Sequence, residues 1–299
     1  MSTGTQQIVN YLEYLRSEKQ YSKHTLSNYK RQLESALDSC KPANNGWQKV
    51  DIHQYRQLLA EWHRSGLSVA SINQRLSALR GLYKHLIREG QAKNNPLKTL
   101  SAPKTKRRLP KDVSIDDVFR LLDNMPRDEP LAIRDHAMLE LFYSCGLRLA
   151  ELADLDIQDI DLNEQVVNVL GKGSKQRQVP VGSKAIKALQ LWLEIRVDFI
   201  KEPTEAIFLS KPGHRMSHRN IQARMKHWGQ QLGIASHLHP HKLRHSFATH
   251  MLEGSGDLRS VQKLLGHANM STTQVYTHLD FQHLAKVYDN AHPRSKKKS

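Results

Sequence analysis

Cysteine is nearly absent from this chain: two residues in 299, Cys40 and Cys145. Two thiols so far apart in sequence offer neither a disulfide framework nor a CxxC metal pair, and they suit a reducing compartment. Long apolar runs are missing too, none approaching the roughly 18–20 residues of a membrane span. The opening residues, MSTGTQQIVNYLEYL, lack the basic-then-apolar order of a secretion signal. A cytoplasmic location without membrane association is expected. Acidic residues are in deficit, 29 Asp+Glu against 45 Lys+Arg, for a formal net charge of +16. That balance favours a polyanionic partner, nucleic acid ahead of an anionic membrane.

The excess is uneven. Residues 1–110 carry 19 basic and 7 acidic side chains, whereas 111–299 carry 26 and 22. The first third therefore holds most of the net charge, which points to a dedicated electrostatic surface there.

Residues 1–100 read as a helical domain. Ile8, Leu12 and Leu15 recur at helical spacing over 7–18. Ser22 caps a second helix with Leu26, Tyr29, Leu33 and Leu37 on one face. Asp51 caps a third, with Ile52, Tyr55, Leu59 and Trp62. Ser68 opens a fourth, with Ile72, Leu76, Leu79, Tyr83 and Leu86, closing near Gly90. Four amphipathic helices make a small bundle. Its outward faces are expected to present Lys23, Lys30, Arg31, Arg75, Arg80 and Lys84.

Residues 101–111, SAPKTKRRLPK, read as a basic linker: prolines bracket a run without apolar periodicity. A second domain, 112–299, opens with a capping Ser114. A strongly apolar helix over 131–145 stops at Gly146, and a short helix follows Arg148. Residues 160–181 switch to strand character, VVNVL and RQVPV flanking a Gly/Ser/Lys turn. Helices are expected again over 183–197, 217–232, from about Leu243, over 257–268 and over 271–279. The fold class is thus mainly α with a small antiparallel sheet in the C-terminal domain.

The chemistry gathers late in the chain. HPHKLRHSFATHMLE, 239–253, holds four histidines around Arg244. A metal reading is poor: His241 and His245 stand four apart, but Lys242 follows His241 and Arg244 would oppose a dication. The alternation of His237, His239 and His241 is the remaining chelate geometry. GKGSK, 171–175, is not a nucleotide loop, because Val166 and Gly173 stand where that pattern needs Gly and Ser or Thr. It does place Lys172 at a hairpin turn. A phosphate reading explains more. His241 and Arg244 lie one helical turn apart and face the same way, and a guanidinium fork fits two phosphate oxygens. Arg148, after a Gly turn, supplies a second fork. His267 and Tyr276 follow in LLGHANMSTTQVYTHLD.

The ordered set Arg148 in GLRLAEL, Lys172, His241 and Arg244 in HKLRH, His267 in LGH, and Tyr276 resembles the signature of the tyrosine recombinases, the λ-integrase family. The resemblance extends to the N-terminal helices, similar to that family's core-binding domain. It implies a two-domain C-shaped clamp on double-stranded DNA, with no cofactor, ATP or metal. Tyr276 would be the nucleophile, forming a 3′-phosphotyrosyl link. Arg148 and Arg244 would stabilise the phosphate charge, His267 would donate a hydrogen bond, and Lys172 and His241 would serve proton transfer. Within the family the chain is most similar to the recombinases that resolve chromosome dimers. That implies a dif-type site, a second recombinase in a two-plus-two tetramer, and a DNA translocase as activator. The family's C-terminal docking implies that 281–290, anchored by Phe281, Leu284 and Val287 or Tyr288, meets a neighbouring protomer.

Two other functions compete. An architectural DNA-binding protein on the same fold would be expected to lack one or more of the six residues. A metal-dependent hydrolase would lose activity to a chelator and be indifferent to Tyr276.

Overall fold

The computed structural model describes residues 2–101, 113–171, 176–234, 238–266 and 278–295, the side chains of 278–280 excepted. The chain divides into two units, Met1–Leu109 and Pro110–Ser299. From residue 102 onward the expected linker lies outside the described residues.

The first unit holds α1 (Thr3–Ser17), α2 (Lys23–Ser39), α3 (Ile52–Arg64) and α4 (Val69–Arg88). Ser22, Asp51 and Ser68 each accept from a backbone N–H of the first turn, as their positions predict. α1 begins earlier than its apolar spacing suggests, because Ser2 caps it. The apolar faces close over Leu33, Tyr55, Ile72, Leu76 and Leu79. Trp47, in a short 3₁₀ turn, fills the centre. Its indole N–H donates to the Gly4 carbonyl at 3.1 Å, and the Tyr83 hydroxyl donates to the Trp47 carbonyl at 2.5 Å.

Two expected surface cations are engaged within the unit instead, one buried and one half-buried. Arg75 is buried, its guanidinium 4.6 Å above the Trp62 ring and donating to Ser35 Oγ at 2.8 Å. Arg80 spends its donors on the carbonyls of Leu97 and Leu100, tying down the segment after α4. Lys23, Lys30, Arg31 and Lys84 are exposed.

The second unit is built around α6 (Pro130–Cys145), with Met138, Leu139, Leu141, Phe142 and Tyr143 fully buried. Before it comes α5 (Ile115–Asp123), capped by Ser114, and after it α7 (Leu149–Asp154). The expected hairpin is part of a three-stranded antiparallel sheet, β1 (Ile160–Asp161), β2 (Val166–Leu170) and β3 (Gln176–Pro180), in that order. Val167 pairs with Val179 and Val169 with Arg177. There follow α8 (Ser183–Arg196), α9 (His218–Gln231), α10 (Pro240–Ser255), α11 (Leu258–Leu265) and α12 (His278–Ala291). α10 starts before Leu243 because Pro240 fits the first helical position and His239 caps it. α11 stops at a left-handed Gly266. The short helix expected at 271–279 lies outside the described residues up to 277.

On α12, Leu284 and Tyr288 are buried in their own unit, Tyr288 sharing a 2.6 Å hydrogen bond with Ser144. Beyond it, the buried Arg294 pairs with Glu140 and Asp123.

Candidate active site

The site begins where α6 ends. Gly146 takes a left-handed conformation, φ +54°, and turns the chain through buried Leu147 to Arg148. α7 then starts, and its third residue, Glu151, reaches back to accept from the Arg148 backbone N–H at 2.7 Å. This is a capping-box contact that satisfies an orphan helical donor.

α10 brings the second arginine. His239 accepts from the Lys242 N–H through Nδ1 at 3.2 Å. His241 is exposed on the first turn, and Arg244 follows one turn later. Arg244 Nη1 donates to the Gly146 carbonyl at 2.5 Å and Nη2 to the Leu265 carbonyl at 2.5 Å.

The end of α11 completes the frame. Its last carbonyls have no intrahelical partners. Leu264 O accepts from Arg177 Nε at 3.0 Å, Leu265 O from Arg244, and Gly266 O from Arg148 Nη2 at 2.9 Å. Three guanidiniums from three elements thus meet the negative end of one helix, where cations are favoured.

Glu151 sits among them. It accepts from Arg177 Nη1 and Nη2 at 2.7 and 2.8 Å and from Arg148 Nη1 at 2.7 Å; Arg244 is 3.8 Å away. Burial opposes its ionisation, but the hydrogen bonds and charge of Arg177, with those of Arg148, prevail and hold its carboxyl at about 2. Burial, followed by the charge of Arg148, lowers Arg244 to about 10, which leaves it cationic at neutral pH. Three cations surround one anion. The Arg148 side chain is 37% exposed, against 12% for Arg244 and 5% for Arg177. Arg148 is therefore the member most open to an arriving anion, with Arg244 beside it.

Of the six residues singled out in the sequence, the structure brings Arg148 and Arg244 into one frame and places His241 a turn from Arg244. Lys172, His267 and Tyr276 lie outside the described residues. Two other histidines of this segment have structural duties. His239 is the cap, and the buried His250 shares a 2.8 Å hydrogen bond with Tyr143 through Nδ1. Among the described residues no group of three His, Cys, Asp or Glu side chains could hold a metal ion; His237 is outside them.

Comparison with known proteins gives the frame its context. The model of the phage integrase family matches residues 111–283, and that of the phage integrase N-terminal SAM-like domain matches 8–90. Tyrosine recombinase XerC of Actinobacillus pleuropneumoniae serotype 7 is 54% identical over 289 residues, 96% of this chain and 94% of that protein. Tyrosine recombinase XerC of Escherichia coli is 52% identical over 293 residues, 97% of each.

The chain belongs to the phage integrase family.

It is a tyrosine-type site-specific recombinase, similar to XerC over nearly its whole length. The fold is shared with the XerH site-specific recombinase bound to palindromic difH substrate in a post-cleavage complex, at TM-score 0.71 and 23% identity over 93% of this chain and 82% of that one. No helix among the recombinase's described residues is long and apolar enough to cross a membrane. Sequence reasoning missed Glu151 and Arg177 in its site. Glu151 had a signal, an acid at the third position of the helix that Arg148 begins. So had Arg177: the period of two in QRQVP puts it on the same inward face as Val179.

Proposed function

We propose that this recombinase cuts and rejoins double-stranded DNA through Tyr276, with Arg148 and Arg244 holding the scissile phosphate. The observation that carries the reading is the shared anchoring of those two guanidiniums on the end of α11, with Arg148 open to solvent. A phenol has a pKa of about 10, so the nucleophile needs a proton acceptor and a cationic surrounding. The phenolic oxygen forms a bond to phosphorus, the bond from phosphorus to the 5′-oxygen breaks, and a proton goes to that oxygen. His267 donates a hydrogen bond to the phosphate, while Lys172 and His241 handle protons. The phosphotyrosyl bond keeps the energy of the broken linkage. A 5′-hydroxyl from a second duplex then reverses the step without ATP, cofactor or metal.

The likeness to XerC supports a finer assignment. The recombinase acts in the cytoplasm at a dif-type site with XerD, as a heterotetramer of two XerC-type and two XerD subunits. It resolves chromosome dimers during cell division, with FtsK as activator. The two domains, 1–100 and 112–299, close on the duplex as a C-shaped clamp joined by 101–111. Docking of 281–290 on a neighbour then requires α12 to release Leu284 and Tyr288 from their own unit. The test is strand exchange between two labelled duplexes bearing a dif-type site, with and without XerD. Exchange with both proteins is expected. Exchange on a scrambled site, or none with XerD present, contradicts the assignment.

A further inference from the structure

We infer that Arg177 is a positioning residue of the recombinase site, fixing Glu151 and, through it, Arg148 in the arrangement that receives a phosphate. The inference rests on the reading of Arg148 and Arg244 as the phosphate-holding pair.

Arg177 lies on β3, opposite Val169, on the inward face of the sheet. Nε donates to Leu264 O, and both terminal nitrogens donate to Glu151. A guanidinium so buried and engaged has no reach to DNA. Room for it is made by Gly266, whose missing Cβ would stand 3.1 Å from Cδ and Nη1 of Arg177. The bidentate pair fixes the carboxylate plane, and that plane sets where Arg148 Nη1 is held.

Charge gives Arg177 a second effect. Glu151 is an anion inside a site meant for an anion. With Arg177 in place, its charge is met by a residue that substrate never touches. Without Arg177, the carboxylate keeps its contacts to Arg148 and stands 3.8 Å from Arg244. Its charge then falls on the two guanidiniums the phosphate needs, and a buried carboxylate short of partners draws its remaining donors inward. Arg177 therefore keeps the charge of Arg148 and Arg244 available.

A merely structural ion pair and a positioning residue both regain stability when the carboxylate is neutralised; they differ in the chemical step. If Arg177 acts by restraining Glu151, removing the carboxylate's charge restores the rate of adduct formation while duplex affinity stays unchanged. The experiment uses the full-length protein on a nicked suicide duplex, reading duplex affinity separately from the rate of covalent adduct formation. Arg177→Met is expected to bind DNA like wild type and to form adduct about 100-fold more slowly, the usual scale for a misplaced site group. The double variant Arg177→Met with Glu151→Gln is expected to recover about 10-fold of that loss. Arg177→Lys keeps the charge but not the fork and should fall between; it also serves if the Met variant does not fold. Arg177→Lys at the wild-type rate, or a double variant no faster than the single one, overturns the inference. Arg148→Lys is run alongside. If it is slow while Arg177→Lys is not, only the role of Arg177 fails. If wild type forms no adduct, or Arg148→Lys matches it, the reading of the phosphate pair fails first.

Discussion

Gly146 and Arg244 are joined across the site by a 2.5 Å hydrogen bond from Nη1 to the glycine carbonyl. The same glycine sits at φ +54°, and a Cβ there would stand 2.2 Å from Cδ1 of Phe247, one turn beyond Arg244 on α10. The helix that carries the arginine thus presses one face of Gly146 and holds its carbonyl. Only glycine fits both the turn and the contact.

Gly146→Ala combines a left-handed alanine with a clash against a fully buried ring. It should lower stability by about 2–4 kcal/mol. Urea unfolding of the full chain measures this, and adduct formation should slow as the carbonyl shifts Arg244. An alanine variant as stable and as fast as wild type would refute the close fit.

Arg75 and Lys84 separate two uses of a cation on α4. Arg75 is packed on Trp62 and bonded to Ser35, so Arg75→Ala should destabilise the N-terminal unit by about 1–3 kcal/mol. Lys84 is exposed. Lys84→Ala should leave stability alone, weaken DNA binding across sequences and reduce the salt slope of log K by about one. Thermal unfolding and binding titrations at several salt concentrations check the pair. Equal effects of both variants on the salt slope would place Arg75 at the DNA after all.

Arg75 also shows what the sequence makes legible and what it does not. Helix starts at Ser22, Asp51, Ser68 and Ser114 are local chemistry, a side-chain oxygen meeting an N–H three residues on, and they read directly. The turn at Gly146 and the strands flanking 171–175 read for the same reason. Arg75 did not, because its burial depends on Trp62 and Ser35, which belong to other helices. Nor did Arg294, whose carboxylate partner Glu140 is 154 residues away. In the site, the spacing of His241 and Arg244 was visible on one helix. The meeting of Arg148, Arg177 and Arg244 on α11 was not, since it joins four segments.

His292 gives a pH dependence. It is buried, stacked on Tyr288 at 4.7 Å, and accepts from the Arg294 N–H. Burial lowers its pKa to about 3, against the pull of a Tyr143 backbone contact and Glu140. The unfolded chain, at about 6.5, therefore binds the extra proton first. Stability is full above about pH 6.5 and falls toward pH 3, by up to about 1.4 kcal/mol per pH unit. Glu151, held at about 2, adds a loss of the same sense below about pH 4.5. Urea midpoints at pH 5 and 7.5 should differ for wild type and converge for His292→Asn. An unchanged difference in the variant would assign the effect elsewhere.

Arg294 meets Glu140 where both are buried, with Asp123 at the edge. Arg294→Met leaves Glu140 with His136, 3.4 Å away, and should cost about 3–5 kcal/mol. Adding Glu140→Gln should return part of it. A single variant within about 1 kcal/mol of wild type, measured by urea unfolding, would show the pair to be dispensable.

The central claim, a metal-free tyrosine nucleophile, is tested by incubating wild type and Tyr276→Phe with a nicked suicide duplex carrying a dif-type site, XerD present and EDTA in excess. Products are resolved on a denaturing gel. Wild type is expected to form a covalent protein–DNA adduct and Tyr276→Phe none, both binding the duplex alike. An adduct from the phenylalanine variant, or adduct formation by wild type that EDTA abolishes, would contradict it.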